Sequence, residues 1–181
     1  IREILPLTEE CMKDLIQYQV ETDDGLIVCL DTHKVGSDAG EICVARSAWL
    51  YEALKRATST SVLIFMHHPP MSLGLPMQDT DQMQSGEAFL DLISEFPSVK
   101  YLFIGHVHRP ITGTIRNIPF STMRSVLYQA PPPRPEWSWE TFKPSKEAPA
   151  IGVVRLENGS VNIQYDQFCG YEVGLSDRKD R

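Results

Sequence analysis

Two apolar runs of strand length each break off into histidines, and this pairing constrains the fold more than any other feature of the chain. The run 61–66 leads into His67, His68, Pro69 and Pro70, and the run 99–104 leads into Gly105, His106, Val107 and His108. Between them Phe89, Leu92, Ile93 and Phe96 recur at helical spacing, which predicts a helix over about 85–96. A strand, a helix and a second strand in that order make a right-handed crossover with parallel strands. Parallel strands end at one sheet edge, so both histidine pairs should arrive together. Ligand sites of open α/β sheets lie along that edge.

The rest of the chain extends this α/β pattern. The run 25–31 is apolar and partly β-branched, as in a strand buried on both faces. Leu50, Ala53, Leu54 and Ala57 predict a helix over 46–57. Thr8 as an N-cap predicts a short helix over 8–18. After His108 the texture changes. Residues 111–116 and 119–123 predict a hairpin around Asn117. Residues 151–156 and 161–165 predict another, turning at Asn158 and Gly159, which both tolerate positive φ. Residues 131–149 are rich in Pro and Trp and predict no regular structure. The expected organisation is an α/β core over 1–127, then a Pro- and Trp-rich lid or oligomerisation segment with a terminal hairpin over 128–181.

Composition narrows the partners. Against 17 basic side chains stand 24 acidic ones, and a formal charge of −7 argues against a nucleic-acid surface. The longest apolar runs have strand length, far short of the roughly 20 residues that span a bilayer. No signal-peptide pattern opens the chain. Cys11, Cys29, Cys43 and Cys169 are scattered without a CxxC pair, the usage of reduced thiols in a cytoplasmic protein, with a disulfide at Cys169 left open.

The histidines carry the chemistry. A lone histidine at a strand end is most often a polar cap or a hydrogen-bonded core residue. Two clusters at matching strand ends point instead to a metal site, since imidazole suits zinc, iron and similar ions. His106 and His108, two apart, can face two neighbouring ions without crowding one. Gly105 is expected to let the backbone turn sharply, and Pro69 and Pro70 to stiffen the loop behind His67. Neutral imidazoles bring no charge to offset two cations, so carboxylates are required, with Asp31 the local candidate.

The segments His67-His68-Pro69-Pro70 and Gly105-His106-Val107-His108-Arg109-Pro110 resemble the last two metal motifs of the calcineurin-like metallophosphoesterases. With Leu30-Asp31-Thr32 upstream, the chain is similar to the branch holding class III cyclic-nucleotide phosphodiesterases and bacterial glycerophosphodiesterases, over about residues 26–127. The resemblance implies part of a four-layer α/β/β/α sandwich with two transition-metal ions (Fe, Mn, Zn or Co) at its centre. It implies that His67 and His106 bind the second metal and His108 the first. His68 matches no ligand and is expected behind the ligands or facing substrate. No residue of this chain is matched to a proton-transfer role. Arg109 is expected in a structural salt bridge. Substrate contacts are expected from His68, from Met71 and Asp79 in the loop 71–83, and from Trp137 with Trp139 in the Pro- and Trp-rich segment, where relatives meet a second subunit. A homo-oligomer follows.

Complete members of that family also carry Asp-x-His, Gly-Asp and Gly-Asn-His motifs. Nothing here matches the last two. Asp31-Thr32-His33 imitates the first, but the other two do not follow it, so Asp31 and His33 are read as a loop in preference to a ligand pair. The chain is therefore expected to be the carboxy-terminal part of a longer enzyme, which Ile1 in place of an initiator Met supports. Alone it should bind metal weakly and leave an apolar sheet face for the missing amino-terminal half. The expected function is dinuclear hydrolysis of small phosphodiesters, cyclic nucleotides or glycerophosphodiesters. The alternatives are a non-catalytic relative that binds through the same scaffold, or a closed structural zinc site.

Overall fold

The computed structural model describes residues 15–167. Eight strands and two helices follow in the order β1 (Tyr18–Glu21), β2 (Leu26–Cys29), α1 (Val44–Arg56), β3 (Val62–Met66), α2 (Gly86–Ser94), β4 (Val99–Ile104), β5 (Thr112–Ile115), β6 (Ile118–Thr122), β7 (Ala150–Glu157) and β8 (Ser160–Gln167). Six of the strands form one sheet in the order β1-β2-β3-β4-β6-β5. Within it β2, β3, β4 and β6 are parallel, and β1 and β5 close the two edges antiparallel. The crossover read from the sequence is the β3-α2-β4 unit.

Side-chain alternation divides the sheet into two faces. Val28, Ile64, Leu102 and Ile104 pack with Leu50 and Leu54 of α1 and with Phe89, Leu90 and Ile93 of α2. Leu50, Leu54, Ile64, Leu90, Ile93 and Leu102 are fully buried, so this helix-covered face is the core. On the other face Phe65 stacks on Phe103 with ring centroids 4.4 Å apart, and Phe103 on Tyr101 at 4.7 Å. The β7–β8 hairpin lies over that face, leaving a cleft of 240 Å³ lined by Phe65, Phe103, Met123, Val154, Ile163 and Tyr165. Helices, sheet and hairpin together make the α/β arrangement expected of part of a metallophosphoesterase sandwich.

Both expected hairpins form. Arg116 and Asn117 turn β5 into β6 at φ 49° and 65°, and Asn158 and Gly159 turn β7 into β8 at φ 50° and 76°. The expected helix over 8–18 requires correction where it can be seen. Residues 15–17 are not helical and Tyr18 opens β1, because pairing with β2 satisfies its backbone groups. The remainder of that expected helix lies outside the described residues, as do Cys11 and Cys169. Cys29 and Cys43 are free thiols. Among the described residues no helix is long and apolar enough to cross a membrane.

The Pro- and Trp-rich segment is tied down despite its lack of regular structure. Glu147 accepts from Arg124 Nη2 at 2.7 Å and from Arg109 Nη1 at 3.4 Å, and Arg109 also donates to the Ala130 carbonyl at 2.9 Å. Arg109 thus makes the salt bridge expected of it, and joins the segment to the loop carrying His106 and His108.

Candidate metal centre

Register explains why the histidines meet. Met66 pairs with Ile104, so β3 and β4 run out level, and Gly105 N–H donates to the Met66 carbonyl at 3.0 Å. His67 and His106 emerge side by side. His106 Nδ1 and His67 Nε2 lie 3.4 Å apart, with ring centroids at 5.2 Å. A Cβ on Gly105 would stand 2.9 Å from His67 Nδ1. The glycine's purpose is therefore room for the His67 ring; the sharp turn expected of it is made by the histidines that follow. His106 and His108 have φ of 69° and 51°. Each such placement of a non-glycine residue costs on the order of 1 kcal/mol and persists only where the surroundings enforce it.

His68 differs from its neighbour because alternation turns it inward. It is buried, accepts from or donates to Thr32 Oγ1 through Nδ1 at 2.8 Å, and meets the Asp38 carbonyl through Nε2 at 3.0 Å. A carbonyl only accepts, so Nε2 carries the proton, and in the neutral ring Nδ1 accepts from the threonine hydroxyl. Thr32 Oγ1 in turn accepts from His68 N–H at 3.2 Å. Although ligand atoms of His67, His68 and His106 lie within 4.8 Å of one another, both nitrogens of His68 are already engaged. It fastens the loop between β2 and α1 to the end of β3.

His108 is not within that three-histidine group. Its ring packs on Tyr128 with centroids 4.5 Å apart and hydrogen bonds to the Tyr128 backbone. One nitrogen is thus oriented by the backbone, as is usual for a metal-bound imidazole.

Electrostatics favours neutral rings. His67 and His106 are each held at a pKa of about 4. Protein surrounding the rings at the pocket floor disfavours their charged forms first, and neighbouring histidines add repulsion, with Asp38 opposing weakly at His106. Burial lowers His68 and His108 too, against hydrogen bonds that raise them. An unfolded chain takes up protons at the ordinary imidazole value of 6.5, where the folded protein does not. In chelator, resistance to urea should therefore be full above pH 6.5 and fall as the pH drops from 6.5 toward about 4. Equal denaturation midpoints at pH 7.5 and pH 4.5 would contradict this.

A pocket of 890 Å³ opens over the histidines, lined by Asp31, Thr32, His33, Asp38, Asp81 and Trp139 among others. Asp31 is occupied by backbone amides: Oδ1 accepts from His33 N–H in its own loop at 2.9 Å and Oδ2 from Ile16 N–H ahead of β1 at 3.0 Å. The loop reading of Asp31 and His33 accounts for those contacts. Asp79 lies away from the pocket walls, its carboxylate accepting from Ser72 Oγ, Leu73 N–H and Leu75 N–H at 2.6–2.9 Å. Met71 packs against the core. Trp137 faces a separate crevice with Pro131, Pro133 and Phe142, while Trp139 reaches the pocket instead. Asp38 and Asp81 carried no signal in the sequence, and Thr32 only its place in the Leu30-Asp31-Thr32 motif, since the folded loops bring all three to the histidines.

The donor set suits a metal ion. Two nitrogens bound to one zinc-like ion at about 2.1 Å in tetrahedral geometry stand roughly 3.4 Å apart, the separation seen between His67 and His106. Among the described residues lining the pocket there is no Lys or Arg. An anionic ligand there needs positive charge from another source.

Comparison with known proteins places these features. No family model matches the chain. It is 40% identical over 106 residues to a protein of Rhodopseudomonas palustris named probable cyclic nucleotide phosphodiesterase, covering 57% of this chain and 39% of that protein. It is 28% identical over 116 residues to a glycerophosphodiester phosphodiesterase of Enterobacter lignolyticus, covering 64% of this chain and 42% of that one. The chain thus spans about two fifths of the length of these relatives. A dimetal phosphatase from Danio rerio superposes with a TM-score of 0.52 at 16% identity, over 61% of this chain and 49% of that structure, a likeness of fold. Over rather more than half its length, therefore, the chain is a homologue of cyclic-nucleotide and glycerophosphodiester phosphodiesterases, built on part of the dimetal phosphatase fold.

Proposed function

We propose that the protein to which this chain contributes hydrolyses small phosphodiesters, of the cyclic-nucleotide or glycerophosphodiester kind, with two transition-metal ions drawn from Fe, Mn, Zn and Co. His67 and His106 would hold one ion, and His108, oriented by Tyr128, the other. The observation that carries the reading is the 3.4 Å approach of the His67 and His106 nitrogens beside a pocket without Lys or Arg among its described lining. Held there, such ions would supply positive charge for the phosphoryl group and a water of lowered pKa.

The chain's own groups supply position. Neutral His67 and His106 keep lone pairs available at physiological pH. Arg109 and Glu147 fix the segment that carries Trp139. Three imidazoles bring no negative charge, and two cations cannot be held cheaply by neutral donors alone. Carboxylate ligands from a further part of the protein, the missing amino-terminal half of the domain, belong to this proposal, and the two-fifths coverage of its relatives supports it. Val126 and Leu127, exposed just ahead of the Pro- and Trp-rich segment, support a second copy meeting the chain there. The free thiols of Cys29 and Cys43 support a cytoplasmic setting.

The test joins metal analysis to turnover of bis(4-nitrophenyl) phosphate by the protein reconstituted with Mn(II) or Zn(II). Two ions per chain with hydrolysis is the expected result. Tightly held metal without hydrolysis would point to a structural zinc site, and neither metal nor turnover to a non-catalytic binding relative.

A further inference from the structure

The pocket over the histidines, 890 Å³, lies in the range of sites for organic ligands, about 300–1,000 Å³. Resting on the diesterase reading above, we propose that Trp139 is a specificity-determining residue, a stacking platform for the base of a nucleotide diester.

Trp139 is 55% exposed, yet the protein braces it. Its ring leans on Phe142, with centroids 5.8 Å apart and planes at 56°. Phe142 meets Tyr128 edge-on at 6.3 Å, and Tyr128 meets the His108 ring at 4.5 Å. An unbroken row of rings therefore runs from the loop that bears His106 and His108 to the pocket wall. The segment's backbone is fastened to the same loop, since Ala130 N–H donates to the His108 carbonyl at 3.1 Å. Ser138 and Thr141 close a turn about Trp139 through Ser138 N–H to Thr141 Oγ1 at 2.9 Å and Thr141 N–H to the Ser138 carbonyl at 3.1 Å. A large apolar side chain left uncovered on a braced turn, above a floor of histidines, is placed to meet a ligand.

The chemistry of the wall favours a flat, neutral ring. Trp139 offers one indole face, and no second Trp, Tyr or Phe stands among the described residues lining the pocket. An onium head group is held best by cages of several aromatic rings, whereas a nucleobase needs a single face. Asp38, Asp81 and Ser37 line the same space and can accept hydrogen bonds from exocyclic amines or ribose hydroxyls. A glycerophosphodiester has no planar group with which to use the indole.

The test compares Trp139→Ala and Trp139→Phe in the full protein, with adenosine 3′,5′-cyclic monophosphate and glycerophosphoethanolamine as rival substrates. Base stacking of about 1–3 kcal/mol corresponds to roughly 5- to 150-fold in affinity. Trp139→Ala is therefore expected to lower the ratio of kcat/KM for the cyclic nucleotide over the glycerophosphodiester by that factor, mainly through KM, and Trp139→Phe to recover most of it. An unchanged ratio overturns the proposal. Adenosine, which has no phosphate, gives a readout independent of hydrolysis. It should quench a tryptophan signal that Trp139→Phe removes while Trp49 and Trp137 remain. Loss of both diesterase activities in the parent protein with that quench retained would sink the diesterase reading and leave the platform standing. Absence of the quench would sink the platform.

Discussion

His106→Asn is expected to strip the protein of most of its bound metal and to lower diester hydrolysis by more than about a hundredfold. Changes to groups that merely orient a metal ligand cost about 10–100-fold in affinity or activity, and removal of the ligand itself should exceed that. Asparagine is the informative replacement because His106 sits at φ 69°. Asparagine, like histidine, tolerates the left-handed region better than most residues. Backbone strain is thereby kept nearly constant while the imidazole is lost. The Tm should stay within a few degrees as metal content and turnover collapse together. His68→Gln serves as the contrast. Its ring touches Thr32 and the Asp38 carbonyl, so its loss should loosen the loop and cost activity within about 10–100-fold. Metal content measured by elemental analysis decides the assignment, and full occupancy in His106→Asn would defeat it.

Gly86→Ala should be the most damaging conservative change away from the histidines. A Cβ at Gly86 would stand 2.1 Å from the Pro70 carbonyl oxygen, 2.8 Å from its carbonyl carbon and 3.2 Å from its Cα. Every obstructing atom is backbone, so no rotamer relieves the clash. Either α2 backs away from the sheet or the loop following His67 and His68 moves. Overpacking of this kind costs typically about 1–3 kcal/mol, and the absence of any flexible neighbour places this site at the upper end. For a chain of this size about 3 kcal/mol lowers Tm by roughly 6–12 °C. Urea unfolding measures the loss directly, and a shift under about 1 kcal/mol would mean that the helix and the loop are not locked together as described.

The relation of sequence to fold is clearest at the crossover. Largely continuous apolar runs at 62–66 and 99–104 marked two strands because a parallel sheet buries both faces. Helical spacing of Phe89, Leu92, Ile93 and Phe96 marked α2 because burial follows the 3.6-residue period. Asn117 and Asn158 marked their hairpins because few residues accept positive φ. β1 was not legible. Residues 16–21 do alternate apolar and polar side chains, but the alternation is inverted in the fold, with Gln17 and Gln19 buried and Ile16 and Val20 exposed, and pairing with β2 decides the strand.

The site divides along the same line. The choice of His67, His106 and His108 as ligands came from the family resemblance, whereas residue types alone brought forward His67, His68, His106 and His108 together. They could not tell His67 from His68, which differ in the face of the strand on which each falls and in what waits there. Thr32 and Asp38 take both nitrogens of His68, and those partners lie 36 and 30 positions away. Nor could composition choose Trp139 over Trp137, because that depends on how Arg109, Arg124 and Glu147 lay an irregular segment across the sheet edge. Periodicity and residue chemistry are local properties written in the chain itself. Which nitrogens remain free, and which ring lines the pocket, depend on long-range contacts that exist only once strands are in register and loops are fastened.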